Sequence, residues 1–378
     1  MSFTQTQELP QTFKGLLFSN PSEAPKVADL PTPKLDAGTI IVRPLYSSVV
    51  SYAIDIYQNN NARNYDIPSP LVGGSNAVAR VVAVPSDAVS LRVGDLVTIE
   101  PLVQPRDDKH SSFLIAISQG FSEESHRLTQ NEWRHGTWAE LVRVPLENAH
   151  RFDEAALKRQ GFSIRDLGFF GQLAIPYGGL RDVGLTAGET ILIAPATGNF
   201  GGAAVHIALA MGARVIAMGR NETILAELQG LSPGRVETIK LSGDVETDGA
   251  AIAKFGPIDV FLDFTPPEAA VNTAHITAGI AAVRSGGRVS LMGGVAQVSI
   301  PYLAIMAKNI TLRGTHMYTA DQAKDLVKMI ETGVLKLGEG AGLKTKGVFK
   351  LEEGLEALKL ADNEAGAGRG VFIAPNEV

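Results

Sequence analysis

Between residues 189 and 294, short apolar runs alternate with runs of helix length. "ETILIAPA", "RVIAMG", "VETIKL", "PIDVFLDF" and "GRVSLMGG" are rich in Val, Ile and Leu, like strands buried on both faces. Among them lie "FGGAAVHIALAMGA", "ETILAELQGL" and "EAAVNTAHITAGIAAV", which read as helices. Strands alternating with helices of this length predict an α/β fold built on a doubly wound parallel sheet.

The chain has 378 residues, too many for one ordinary core, so a second domain is expected. The first third reads β: "FKGLLF", "TIIVRPLYSSVV", "NAVARVVAV", "DLVTIE" and "TWAELVRVPL" are cut by Pro, Gly and Asp. We expect a β-rich domain over 1–160, the doubly wound domain over 161–315, and a segment 316–378 that returns to complete the first. Residues 103–135 are polar around a short apolar centre and read as a partly helical surface excursion.

Charge and composition exclude several functions. A net charge of -6 argues against nucleic acid as a partner. The absence of cysteine excludes disulfides, thiolate metal sites and a cysteine nucleophile. The uncharged stretches 190–213 and 289–307 contain Gly-Gly and Pro, so they read as core pieces and not membrane spans. "MSFTQTQELPQTF" has neither the basic nor the apolar region of a secretory signal, and a cytoplasmic location is expected.

"APATGNFGGAA" stands between the first strand and the first helix of the alternating region. Set on G-x-G-x-x-G, it puts Ala196, Gly198 and Gly201 at the small positions, with Thr197, Asn199 and Phe200 between them. Free N–H groups and the helix dipole at such a turn hold a pyrophosphate. The next strand ends in Gly219, Arg220 and Asn221. An acid at 219 would take the ribose hydroxyls of NAD and repel a 2′-phosphate. Gly219 removes that charge, the planar fork of Arg220 suits a phosphate, and Asn221 adds a hydrogen bond. NADPH is the expected cofactor. Asp263 ends a strand on the ligand side of the sheet and is expected to contact the cofactor or cap a loop.

With "AIPYGGL", "LTAGETILIAPATGNFGGAAVHIALAMGARVIA", "VSLRVGDLV", "HGTWAELVRVPLENAHRF" and a last strand "GRGVFI", the chain resembles the medium-chain dehydrogenase/reductases. The resemblance implies a Rossmann domain plus a GroES-like β-rich domain. Zinc-dependent members carry a cysteine three residues before an Asp; here the Asp is Asp55 and the cysteine position is Tyr52. Their Gly-His-Glu falls on Gly73, Gly74 and Ser75, and the four-cysteine lobe has no counterpart. No metal is expected, and the chain looks similar to the zinc-free branch of quinone and enoyl reductases.

That resemblance implies NADPH-dependent hydride transfer to a C=C conjugated to a carbonyl, or to a quinone. Tyr52 and Tyr57 are the expected catalytic residues, as phenol donors to the enolate; Tyr65, His135, His316 and Tyr177 rank below them. The alternatives are a metal-free NADP-dependent alcohol/ketone oxidoreductase and a catalytically poor NADPH-binding protein acting as sensor or structural element. The partners implied are a small-molecule substrate and a second copy of the chain. The resemblance places that homodimer contact near residues 309–315.

Overall fold

The computed structural model describes residues 5–377. They form two compact units: residues up to 171 with 343–365 and 369 onward, and residues 172–342 with 366–368.

The second unit holds a six-stranded sheet: β1 (Thr190–Ala194), β2 (Arg214–Gly219), β3 (Val236–Lys240), β4 (Ile258–Asp263), β5 (Val283–Leu291) and β6 (Thr311–Gly314). All neighbours run parallel, in the order β3-β2-β1-β4-β5-β6. Ile191, Leu192, Ile193, Val215, Ile216, Val260 and Phe261 are fully buried, which is why these strands read as unbroken apolar runs. The chain reverses its direction of winding between β1 and β4. In such sheets the ligand crevice lies at that point, beyond the carboxyl ends of the strands.

The covering helices are α1 (Asn199–Ala210), α2 (Glu222–Leu231), α3 (Val245–Ala253), α4 (Ala274–Ala282), α5 (Tyr302–Ala307) and α6 (Ala320–Glu331). Helix α3 was not foreseen. Its run "VETDGAAIA" buries only Asp248 and Ile252, so its apolar period is faint; Asp244 caps it by accepting from the Thr247 N–H. Helix α4 starts at Ala274, later than "EAAVNTAHITAGIAAV" suggested: Pro267–Ala269 form a separate short turn, and Asn272 Oδ1 accepts from the Ala274 N–H at 3.0 Å where the helix begins.

The first unit is built on an eight-stranded sheet whose main path runs Ala149–Arg151, Leu96–Ile99, Ala77–Val84, Thr39–Ser48, Arg369–Ile373, Lys344–Phe349. A smaller sheet pairs Thr12–Phe18 with Lys26–Pro31 and Leu71–Val72. Two expectations need correction. The doubly wound unit extends to residue 342, so α6 belongs with it and the return to the first unit begins at Leu343. The 103–135 segment is also more than a surface excursion. It contributes helix Glu123–Asn131, but Val103, Phe113, Ile115, Ala116 and Ile117 are buried in the first unit's core. No helix of the described residues is long and apolar enough to cross a membrane.

Candidate active site

The phosphate turn is built by close approach. A Cβ on Gly201 would lie 2.0 Å from the Pro195 carbonyl oxygen, so only glycine lets α1 start there. A Cβ on Gly198 would meet nothing within 4 Å, which leaves the space above the turn open to a ligand. Gly198 is the N-cap of α1 and supplies no side-chain cap, so the first N–H groups of a twelve-residue helix remain available as donors. Ala196 is buried and its N–H donates to the Met218 carbonyl at 2.7 Å, locking the turn to β2. Phe200 stacks on Phe264 with centroids 6.1 Å apart.

The turn is also stitched to the far end of the chain. The Gly366 N–H donates to Asn199 Oδ1 at 2.7 Å, and the Ala367 N–H donates to the Thr197 carbonyl at 3.1 Å. Sequence reasoning missed this pair; the small-residue run "AGAGRG" was the available signal, since a side chain on Gly202 would strike Ala367.

Gly219 also answers a steric demand. A Cβ there would lie 2.5 Å from Thr197 Cγ2. Arg220 is exposed, and Asn221 spends its Oδ1 on capping α2 through the Ile224 N–H at 3.1 Å, keeping only its amide N–H groups for a ligand.

In the first unit, Tyr52 caps the short helix Ala53–Tyr57. It is half-buried, stacked on Tyr65 at 6.2 Å, and covered by the Arg63 guanidinium 4.3 Å from its ring centroid. Burial above all, then the neighbouring Tyr65, pushes the Tyr52 phenol well up from its ordinary value. Tyr57 is buried, and its hydroxyl donates to the Ala116 carbonyl at 2.6 Å. Burial pushes this phenol up too, and it serves the core of the unit.

Gly74 has φ +88, and a Cβ there would lie 2.6 Å from Trp138 Cδ1; one on Gly73 would lie 2.5 Å from Trp138 Cε3. The indole thus lies across both glycines. Tyr52, Gly74 and Ser75 offer a phenol, no side chain and a hydroxyl, which is not a zinc ligand set. Among the described residues, no group of three His, Cys, Asp or Glu is placed to hold a metal.

Two family models match the chain. An alcohol dehydrogenase GroES-like domain covers residues 36–154 and a zinc-binding dehydrogenase domain covers 200–332, together about two thirds of the sequence. The chain is a medium-chain dehydrogenase/reductase. It is 24% identical over 360 residues to a probable D-xylulose reductase A of Aspergillus clavatus, covering 92% of each chain. It is 23% identical to an L-threonine 3-dehydrogenase of Thermococcus kodakarensis, over 93% of this chain and 96% of the other.

Among solved structures, a short chain alcohol dehydrogenase from E. coli CFT073 complexed with NADH superposes with TM-score 0.77 at 16% identity, covering 97% of this chain and 100% of that one. A crotonyl-CoA carboxylase/reductase in complex with NADP gives 0.76 at 16%, covering 99% and 97%. The family and the two-domain fold stand as expected. The narrower placing among quinone and enoyl reductases does not follow: the sequence relatives carry the names of a sugar reductase and an amino-acid dehydrogenase.

This medium-chain dehydrogenase/reductase is a nicotinamide-dinucleotide oxidoreductase by family, and its Asp263 has a clear local task. The carboxylate is buried and accepts from the Thr265 N–H at 3.0 Å and from the Thr265 hydroxyl. The Thr265 oxygen lies 2.7 Å from His275 Nε2, and the Thr265 carbonyl accepts from the Gly294 N–H at 2.8 Å. Asp263 thus caps the loop after β4, and the Thr265 carbonyl ties that loop to the one after β5.

Of the lower-ranked candidates, His135 and His316 are exposed and Tyr177 is buried; two further histidines, His150 and His206, are buried. His135 Nδ1 accepts from the Val72 N–H at 3.1 Å, and partial desolvation of the ring, then the neighbouring Arg134, lowers its pKa. Burial holds His206 down at about 4, and partial desolvation also lowers His316. His150 pairs with the buried Glu100 carboxylate. The Tyr177 hydroxyl accepts from Arg181 at 2.7 Å.

Proposed function

We propose that the chain is an NADPH-dependent oxidoreductase of carbonyl/hydroxyl pairs that works without zinc. One observation carries the metal-free part: the positions of the family's catalytic ligands are Tyr52, Gly74 and Ser75, and Trp138 fills the space a side chain at Gly74 would need. The names of the sequence relatives, a xylulose reductase and a threonine dehydrogenase, support the carbonyl/hydroxyl pair. Bound NADPH supplies the hydride. The phosphate turn from Ala196 to Gly201 and the Arg220 guanidinium hold its charged end, and the Tyr52 phenol gives the proton to the substrate oxygen.

The residues at the ligand positions also favour a second reading, conjugate reduction of an enone or quinone. With Tyr52, Gly74 and Ser75 there, the strongest polarising group they offer is a phenol, a weak acid. It suits an enolate, which is basic, better than an isolated carbonyl, which has to be polarised before hydride arrives.

The test is steady-state NADPH oxidation by chelator-treated protein with a saturated ketone, an aldehyde, an enone and a quinone, plus NADP reduction by a secondary alcohol. Turnover of the saturated carbonyls and of the alcohol, unchanged by the chelator, is expected. Turnover of the enone or quinone alone selects the second reading. Activity lost on chelation and restored by zinc overturns the metal-free mechanism.

Assembly as a homodimer belongs to the same proposal. Strand β6 is a sheet edge, and α5 beside it exposes Tyr302 (76%), Leu303 (71%) and Met306 (58%). An open edge flanked by apolar side chains needs covering. Sedimentation of Leu303→Lys should show a monomer where the natural chain shows a dimer; equal masses for the two would remove the edge from consideration.

A further inference from the structure

Within the first unit, a cavity of about 250 Å³ opens beside Tyr57, walled by Phe18, Tyr57, Tyr65, Ile67 and Leu71. Apolar cavities of roughly 150 Å³ hold a benzene ring, while whole drug-sized molecules need roughly 300–1,000 Å³. The space fits one ring or a short alkyl arm.

Polar side chains also line it; Asn20, Asp66 and Ser69 are exposed, and each of the polar groups has at least one partner within the protein. Ser69 Oγ donates to the Ser19 carbonyl at 2.7 Å. The Asn61 amide donates to the Tyr65 carbonyl at 2.6 Å and accepts from the Tyr65 N–H at 3.1 Å. Asn20 Oδ1 accepts from the N–H and hydroxyl of Ser22. Asp66 accepts from Gln119 Nε2 at 2.8 Å and stands 3.3 Å from His126. The Tyr57 hydroxyl is bound to Ala116. A polyol entering here would give up water for groups that already hold a partner, whereas a ring or alkyl arm would bury its surface against the five apolar and aromatic walls.

We propose that this cavity seats an apolar arm of the substrate, making the substrate a hydrophobic carbonyl compound and not a polyol or an amino acid. Tyr57 links cavity and chemistry: it closes the same helical turn that Tyr52 caps, and its ring packs on Phe18 at 4.7 Å. The inference rests on the reading that Tyr52 serves the reacting oxygen.

The experiment is calorimetric titration of the NADP-loaded protein with 4-phenylbutan-2-one and with D-xylulose, alongside NADPH turnover of both. The aryl ketone should bind at least about tenfold more tightly. Ile67→Trp, which fills the cavity, should weaken the aryl ketone by about tenfold or more. Ile67→Ala, which enlarges it, should shift preference towards the naphthyl analogue. Tighter binding of xylulose, or an aryl affinity indifferent to both Ile67 variants, overturns the proposal. Cavity-dependent binding without NADPH oxidation upholds the cavity and removes the catalytic reading. Turnover of xylulose with no aryl preference does the reverse.

Discussion

Arg220→Ala is expected to weaken NADPH binding by about ten- to a hundredfold and to leave NADH binding unchanged. A hydrogen bond to a charged group contributes about 1.5–3 kcal/mol, and tenfold in affinity is about 1.4 kcal/mol. Arg220 is exposed, so the loss should shrink as ionic strength rises. Fluorescence titration of both cofactors at two salt concentrations reads this directly. The converse change, Gly219→Asp, should fail as a single substitution, because its Cβ would press on the Thr197 side chain. Joined with Thr197→Ala and Arg220→Ala, it should reverse the preference towards NADH. A ratio of dissociation constants that stays put in the triple variant removes the claim that this corner selects the phosphate.

Tyr52→Phe is expected to lower turnover by about tenfold to a thousandfold, with a smaller effect on KM, as for loss of a general acid. The upward shift of the Tyr52 phenol fixes the sign of the pH dependence. Its proton is held through neutral and mildly alkaline pH, so this group adds no alkaline fall to the rate in the ordinary working range. Tyr57→Phe is the informative companion. It leaves the Ala116 carbonyl without its donor, which costs about 1–3 kcal/mol of stability and should appear in the melting temperature before it appears in turnover. Unchanged turnover in Tyr52→Phe would pass the proton to another donor.

Much of the fold was legible because parallel strands buried on both faces have nothing polar to vary. "ILIA" and "VFL" hardly admit another reading once a glycine turn and an apolar helix follow. Helix α3 was illegible for the opposite reason: it buries two of nine residues, and its identity lies in the Asp244 cap. The cofactor turn could be read because its glycines answer steric demands within a few residues. The Trp138 lid over Gly73 and Gly74 could not, since the contact joins positions more than sixty residues apart. The choice of branch within the family was overdrawn for a related reason. Missing zinc ligands say what the site lacks, whereas the acceptor depends on a cleft that no local motif encodes.

The hydrogen bonds from Gly366 and Ala367 to the turn over 196–201 have a consequence for how that turn acquires its shape. Gly366 and Asn199 stand 167 positions apart in the chain. Closing so long a loop carries an entropic cost that is met only once the intervening strands and helices have packed. The geometry of the turn therefore depends on the folded second unit and not on its local sequence alone.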